Sequence, residues 1–200
     1  MAVTDLASLR TQVKDWGNRT NISDTLVDSF INTALSRANR ILRLPDMEAS
    51  ATLVVTEGVA PVPSDYEEVI DLTIEASGSI IALERKDIRY VTEKSTISST
   101  PCFFARKLTN FMLAPIDSTS EAELYYYIKL DSLVNDTDTN FLITESPELL
   151  TYGALAELFL FLRDNEEAAT YEAKFRSILQ ELQGVEDKAM WSGDTLAISS

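Results

Sequence analysis

Residues 146–162, Ser146-Pro-Glu-Leu-Leu-Thr-Tyr-Gly-Ala-Leu-Ala-Glu157-Leu-Phe-Leu-Phe-Leu162, decide the fold class. Ser146 and Pro147 read as a cap and first-turn pair, because proline lacks an N–H that the first helical turn could not use and has a suitable fixed φ. From Leu149 to Leu162 the chain is apolar on nearly all sides, the pattern of a helix surrounded by other elements. The run is too short for the about 20 residues that span a bilayer. Gly153, Ala154 and Ala156 form a small-residue patch that lets a neighbouring backbone come close.

Such a helix needs partners, and both ends of the chain supply them. Downstream, Ala168, Tyr171, Phe175, Ile178, Leu182, Val185 and Ala189 follow the alternating 3-4 spacing of bundle packing, with Glu172 on the solvent side and Gly184 weakening the last turns. Upstream, Thr4 reads as an N-cap for a helix bearing Leu6, Leu9, Val13 and Trp16, which Gly17 can end in a left-handed conformation. Ser23 then caps a longer helix over residues 24–43, with Leu26, Phe30, Ile31, Ala34, Leu35, Ala38, Ile41 and Leu42 on one face and Pro45 forcing an exit.

Between these ends the period becomes alternating. Ala51–Val55 and Val59–Val62 read as a hairpin around Glu57-Gly58, followed by strands at Val69–Ile74, Ile80–Leu83, Cys102–Arg106 and Phe111–Ala114. A long strand is expected from Glu121 to Leu133. The expected fold is therefore α+β, an antiparallel four-helix bundle made by the N- and C-terminal helix pairs with a β-rich insertion between them. The expected domains are a discontinuous bundle over 1–47 and 141–192, an insertion over 48–140 and a flexible tail over 193–200.

Composition narrows the chemistry. The chain of 200 residues has no histidine, which removes Ser-His-Asp and Cys-His nucleophile systems and His-ligated zinc. Its 17 basic and 32 acidic residues give a net charge of −15, which repels polyphosphate. Residues 1–45 alone are mildly basic, at +2, while 46–145 carry −11 and 146–200 carry −6. No basic-then-apolar leader is visible at the start, and Cys102 has no second cysteine, so a reduced, intracellular protein without a membrane association is expected.

Each candidate site has a plainer alternative. Asp136-x-Asp138-x-Asn140 opens like a calcium loop, but Phe141 stands where glycine is needed and Pro147 where glutamate is needed, so a polar turn is expected. Asp65, Glu67, Glu68 and Asp71 read as a solvated edge, and Tyr125, Tyr127 and Lys129 as ordinary strand residues. Glu157 interrupts the central helix; the sharp reading is a catalytic glutamate, and the favoured one is a structural ion pair with Arg10, Arg37 or Arg40. Arg37, Arg40 and Arg43 recur at intervals of three and are candidate partner contacts, with a solvated polar face as the default. No catalytic residue, cofactor site or metal site is expected.

Residues 16–48, from Trp16-Gly-Asn-Arg-Thr-Asn-Ile-Ser to Leu44-Pro-Asp-Met-Glu48, resemble the opening of tailed-bacteriophage head-to-tail adaptor proteins, of the type of tail tubular protein A of short-tailed phages. Val62-Pro-Ser-Asp-Tyr66, Leu113-Ala-Pro115, Tyr125–Leu133, Glu148–Glu157 and Phe161–Glu166 extend the likeness over nearly the whole chain. The resemblance implies a non-enzymatic structural virion protein, a dodecameric ring beneath the portal protein. It would contact tail nozzle or tail-fibre proteins, and double-stranded DNA would pass as non-sticking channel cargo. It also implies a place in the virion neck or tail, with host cytoplasm during assembly. On this view the segment from Val185, with Trp191 as an aromatic anchor, orders on docking. The competing reading is an acidic protein-binding or assembly-chaperone module.

Overall fold

The computed structural model describes residues 3–116 and 119–191, with the backbone alone at 119 and 185–191. In chain order the helices are α1 (Leu6–Trp16), α2 (Asp24–Ile41), α3 (Ile88–Lys94), α4 (Phe141–Glu145), α5 (Pro147–Phe161) and α6 (Asn165–Trp191). The strands are β1 (Glu48–Thr56), β2 (Val59–Pro61), β3 (Tyr66–Ala76), β4 (Ser79–Ala82), β5 (Glu84–Arg85), β6 (Phe103–Lys107), β7 (Asn110–Ala114) and β8 (Thr119–Ile128). The chain divides into two compact units, one of Met1–Asp46 with Leu130–Ser200 and one of Met47–Lys129.

In the first unit α5 is central, packed against α1, α2, α4 and α6. Leu149, Leu150, Thr151, Gly153, Ala154, Leu155, Ala156 and Leu158 are all buried, which is why this helix has no polar face. The closest approach is at Gly153, where a Cβ would lie 2.5 Å from the Ala34 Cβ and 3.0 Å from the Phe175 ring. Any side chain there would push α2 or α6 away. Gly17 works the same way, and not as a left-handed terminator: its φ is −74°, and a Cβ would meet a Leu158 methyl at 2.7 Å. The cap of α1 is Asp5 rather than Thr4; its carboxylate accepts from Ser8 N at 2.9 Å while Ser8 Oγ accepts from Asp5 N at 3.1 Å. On α6 the fully buried line is Ala168, Phe175 and Leu179, with Tyr171, Ile178 and Leu182 half-buried beside it.

The second unit is a single eight-stranded sheet in the order β4-β3-β8-β1-β2-β7-β6-β5. Its two edge strands are neighbours in sequence, separated by Leu83 alone. Leu83 N donates to Leu72 O on β3 at 2.8 Å, and the next residue, Glu84, donates to Cys102 O just before β6 at 2.9 Å. Adjacent residues thus bond to opposite ends of the sheet, so the sheet rolls into a nearly closed barrel. Its pairing is mixed, antiparallel throughout except for β5 with β6. Inward residues Leu53, Val55, Leu72, Ile74, Phe104, Phe111, Leu113, Leu124 and Tyr126 fill the interior. On the outside of β6 and β7, Ala105 and Ala114 pack under Val91 of α3.

This arrangement overturns the expected four-helix bundle with a β-rich insertion. Among the described residues there are six helices, with α4 added ahead of α5 and α3 lying among the strands, and the eight strands form one mixed sheet with its own core. The expected long strand also stops at Ile128 and not near Leu133.

Candidate functional site

Arg37, of the expected arginine stripe, is turned inward where α2, α5 and α6 meet. Its Nη1 donates to Glu157 Oε1 at 3.2 Å, and its Nη2 lies 2.7 Å from both oxygens of Glu172. Arg176 Nε donates to Glu172 Oε1 at 2.6 Å, and the Arg37 guanidinium carbon sits 4.6 Å from the Phe175 ring centroid. Glu157 is therefore held by one of the arginines named from sequence. Glu172 is not on a solvated face: only a quarter of its side chain is exposed, and it ties α6 to α2. Open grooves flank this knot, one of about 340 Å³ lined by Ala156, Leu160 and Ala168 and one of about 310 Å³ lined by Ile41, Phe175 and Leu179.

Burial alone would raise the Glu172 carboxyl, but hydrogen bonds from Arg37 and Arg176 outweigh it and hold the group below its ordinary 4.5. A depressed carboxyl stabilises the fold above its unfolded value, and that contribution is lost as pH falls through the folded value. Glu172→Gln should therefore flatten the acid side of the stability curve below about pH 4.5, measured by urea titrations across pH 3–7. An unchanged acid limb would remove this group from the balance.

A second set of contacts was not read from the sequence. Asn39 is 3% exposed, and its amide brackets Leu130, donating to Leu130 O at 2.9 Å and accepting from Leu130 N at 3.0 Å. One heptad earlier on α2, Asn32 treats Leu133 the same way, at 2.8 Å in each direction. Each side chain stands in for a neighbouring strand, which ends β8 and lays residues 130–133 along α2. The visible signal was two asparagines seven apart on α2, at the border of its aliphatic face beside Leu35.

The remaining expected residues are separated. Arg40 is exposed, and Arg43 caps α2 by donating to the carbonyls of Asn39 and Leu42 at 3.0 and 2.7 Å. The side chains of Val185 and Trp191 and the tail from 193 lie outside the described residues. Arg10 pairs with Asp28 at 2.7 Å and Asp136 at 3.0 Å, and its hydrogen bonds to Asp28 foremost push its guanidinium further up. Asp136 thus faces Arg10, Asp138 accepts from the backbone of Val134 and Asn135 at 2.8 Å, and Asn140 caps α4 at 3.0 Å. The calcium-like triplet converges on no common point, and no metal-binding cluster occurs among the described residues.

The surface of the helical unit carries a partly exposed aromatic row. Trp16, Tyr152, Tyr171 and Phe159 form a row across α1, α5 and α6, with successive ring centroids 5.8, 6.0 and 5.4 Å apart. Lys174 lies over Tyr152 and Tyr171 at 5.1 and 5.0 Å. Leu160 and Phe161, each 58% exposed, project at the end of α5, and Phe30 of α2 packs on Phe161 at 5.8 Å. Large apolar groups left in water across several elements are the ordinary signature of a protein contact surface.

These features describe a scaffold with interaction faces, its polar groups spent on holding helices together. No curated protein matches the chain. The model of the SU10 adaptor protein family matches residues 4–197, nearly its full length. The chain belongs to the SU10 adaptor protein family: it is a bacteriophage head-to-tail adaptor, a structural protein of the virion neck or tail.

Proposed function

We propose that this adaptor works as a dodecameric ring beneath the portal protein, joining it to tail nozzle or tail-fibre proteins and continuing the DNA channel, without enzymatic activity. The observation that carries the reading is the exposed Trp16, Leu160 and Phe161 with the half-buried rings of Tyr152, Tyr171 and Phe159 between them, a surface suited to packing against a neighbouring subunit. Arg40 and the segment from Val185 are the proposed portal contacts. A net charge of −15 keeps free copies apart and lets DNA pass without sticking. Assembly in the host cytoplasm is then templated, because each docked copy raises the local concentration of the next.

Free protein should scatter light as a small species at low salt and associate weakly when salt shortens the screening length to below about 10 Å. Electron micrographs with cognate portal should show rings. Leu160→Ser should change stability by less than about 0.5 kcal/mol, since the side chain is exposed, yet reduce ring occupancy on portals. A stable closed ring of free protein at low salt contradicts templating. A portal complex of fixed low stoichiometry contradicts the ring.

A further inference from the structure

Besides its two edge strands, the barrel lacks pairing along one side of β1. The hairpin turn Glu57-Gly58 has φ of 50° and 73°, the type I′ pattern that places Thr56 opposite Val59 as a hydrogen-bonded pair. Because bonding direction alternates along a strand, Val54, Thr52, Ser50 and Glu48 then direct their N–H and C=O toward the β2 side, while Val55, Leu53, Ala51 and Ala49 bond to β8. But β2 pairs with β1 only at Thr56↔Val59. The position that would face Val54 is Pro61, which has no N–H to give, and the chain moves off to β7, Val62 N donating to Thr109 O at 2.9 Å. No strand among the described residues pairs with this side of β1 from Glu48 to Val54.

Exposed edges of this kind are usually blunted by lysine, proline or a bulge. Here the edge residues Glu48, Ser50, Thr52 and Val54 are all exposed, their register with β8 is regular over nine pairs, and none is basic. Their side chains lie on the outer face, where β8 adds Glu121 and Glu123 at the same level as Val54 and Thr52. On the inner face the neighbours are apolar, small at Ala49 and Ala51 and larger at Leu53. A strand added beside β1 would lie about 5 Å from it and about 10 Å from β8, near enough for its outward side chains to feel Glu48 on β1 and Glu121 and Glu123 on β8.

We propose that β1 is a docking edge for an extended segment of a protein partner, one with basic side chains on alternate residues and small apolar ones between. Backbone pairing supplies the affinity and the acidic outer face selects the charge. A second copy docking through its own β1 is disfavoured as occupant, because it would bring another Glu48, Glu121 and Glu123 against the first set. The inference goes beyond ring formation and portal docking, and its test uses the free protein alone.

The probe is a synthetic peptide alternating lysine and valine, with two N-methylated forms. In one the lysine amides are methylated and in the other the valine amides, so each loses the hydrogen-bond donors of one strand edge while keeping its charge. The unmethylated peptide should bind at low salt, read by calorimetry, and should slow amide exchange at Ser50, Thr52 and Val54 about tenfold or more. One methylated form should bind about tenfold or more weakly and the other as the parent does, because only one edge faces β1. A glutamate-valine peptide should not bind. Equal weakening by both methylations, unchanged exchange at Ser50–Val54, or equal binding of the acidic peptide would each overturn the proposal. Portal docking is not measured in any arm, so failure here leaves the ring reading untouched.

Discussion

Phe175→Ala should lower the free energy of unfolding by about 3–5 kcal/mol, the largest single-site loss expected in the helical unit. Phe175 is fully buried, packs against the glycine at 153 and carries the Arg37 guanidinium on its face at 4.6 Å. Its removal opens a cavity that α2 and α5 cannot close, since they already touch at the glycine, and it takes away the ring that positions the Arg37 pairs with Glu157 and Glu172. Ile178→Ala, at a half-buried position, should cost less than half as much. Urea titrations of the two variants check this, and equal losses would mean that α6 is rotated from the orientation described.

Asn39→Ala comes next, with an expected loss of about 2–4 kcal/mol. The mutation removes a small side chain but strands two backbone groups, Leu130 N and Leu130 O, at a residue only 8% exposed. Leaving buried donors and acceptors unpaired costs more than the same bond contributes when made. Asn32→Ala should be milder, because Asn32 is half-buried and water can replace its bonds to Leu133. Thermal melts together with amide exchange at Leu130 and Leu133 test both. Fast exchange at Leu130 with an unchanged melt would show that the clip is dispensable.

Several elements were legible in the sequence because their causes are local. Pro147 in the first turn and the apolar run after it, broken by Glu157, lead directly to α5 as the central helix, although the Ser146 side chain makes no capping hydrogen bond. The change from helical to alternating period near residue 50 marks where strands begin. Glu57-Gly58 supplies the positive φ that a tight hairpin needs. The need of Glu157 for a cation follows from one carboxylate among aliphatic residues, and Arg37 was among the three candidates.

Other features depended on what lies far away in the chain. Glu172 looked solvated because it lies off the 3-4 apolar stripe, yet Arg37 approaches it from a helix 135 positions earlier. The barrel exists because Leu83 and Glu84 find partners at opposite ends of the sheet, Leu72 and Cys102, a coincidence in space that no alternation of residues records. Helix α4 is five residues long, too short to display a period. The clipping of residues 130–133 by two asparagines reads in sequence as polar noise at the border of an apolar face, since an amide's partner there is backbone, and backbone has no residue type. Local physics, of capping, period and turn angles, determined which segments are helix and which are strand; long-range hydrogen bonding and packing decided how the sheet rolls, which charges meet and which strand edge stays open.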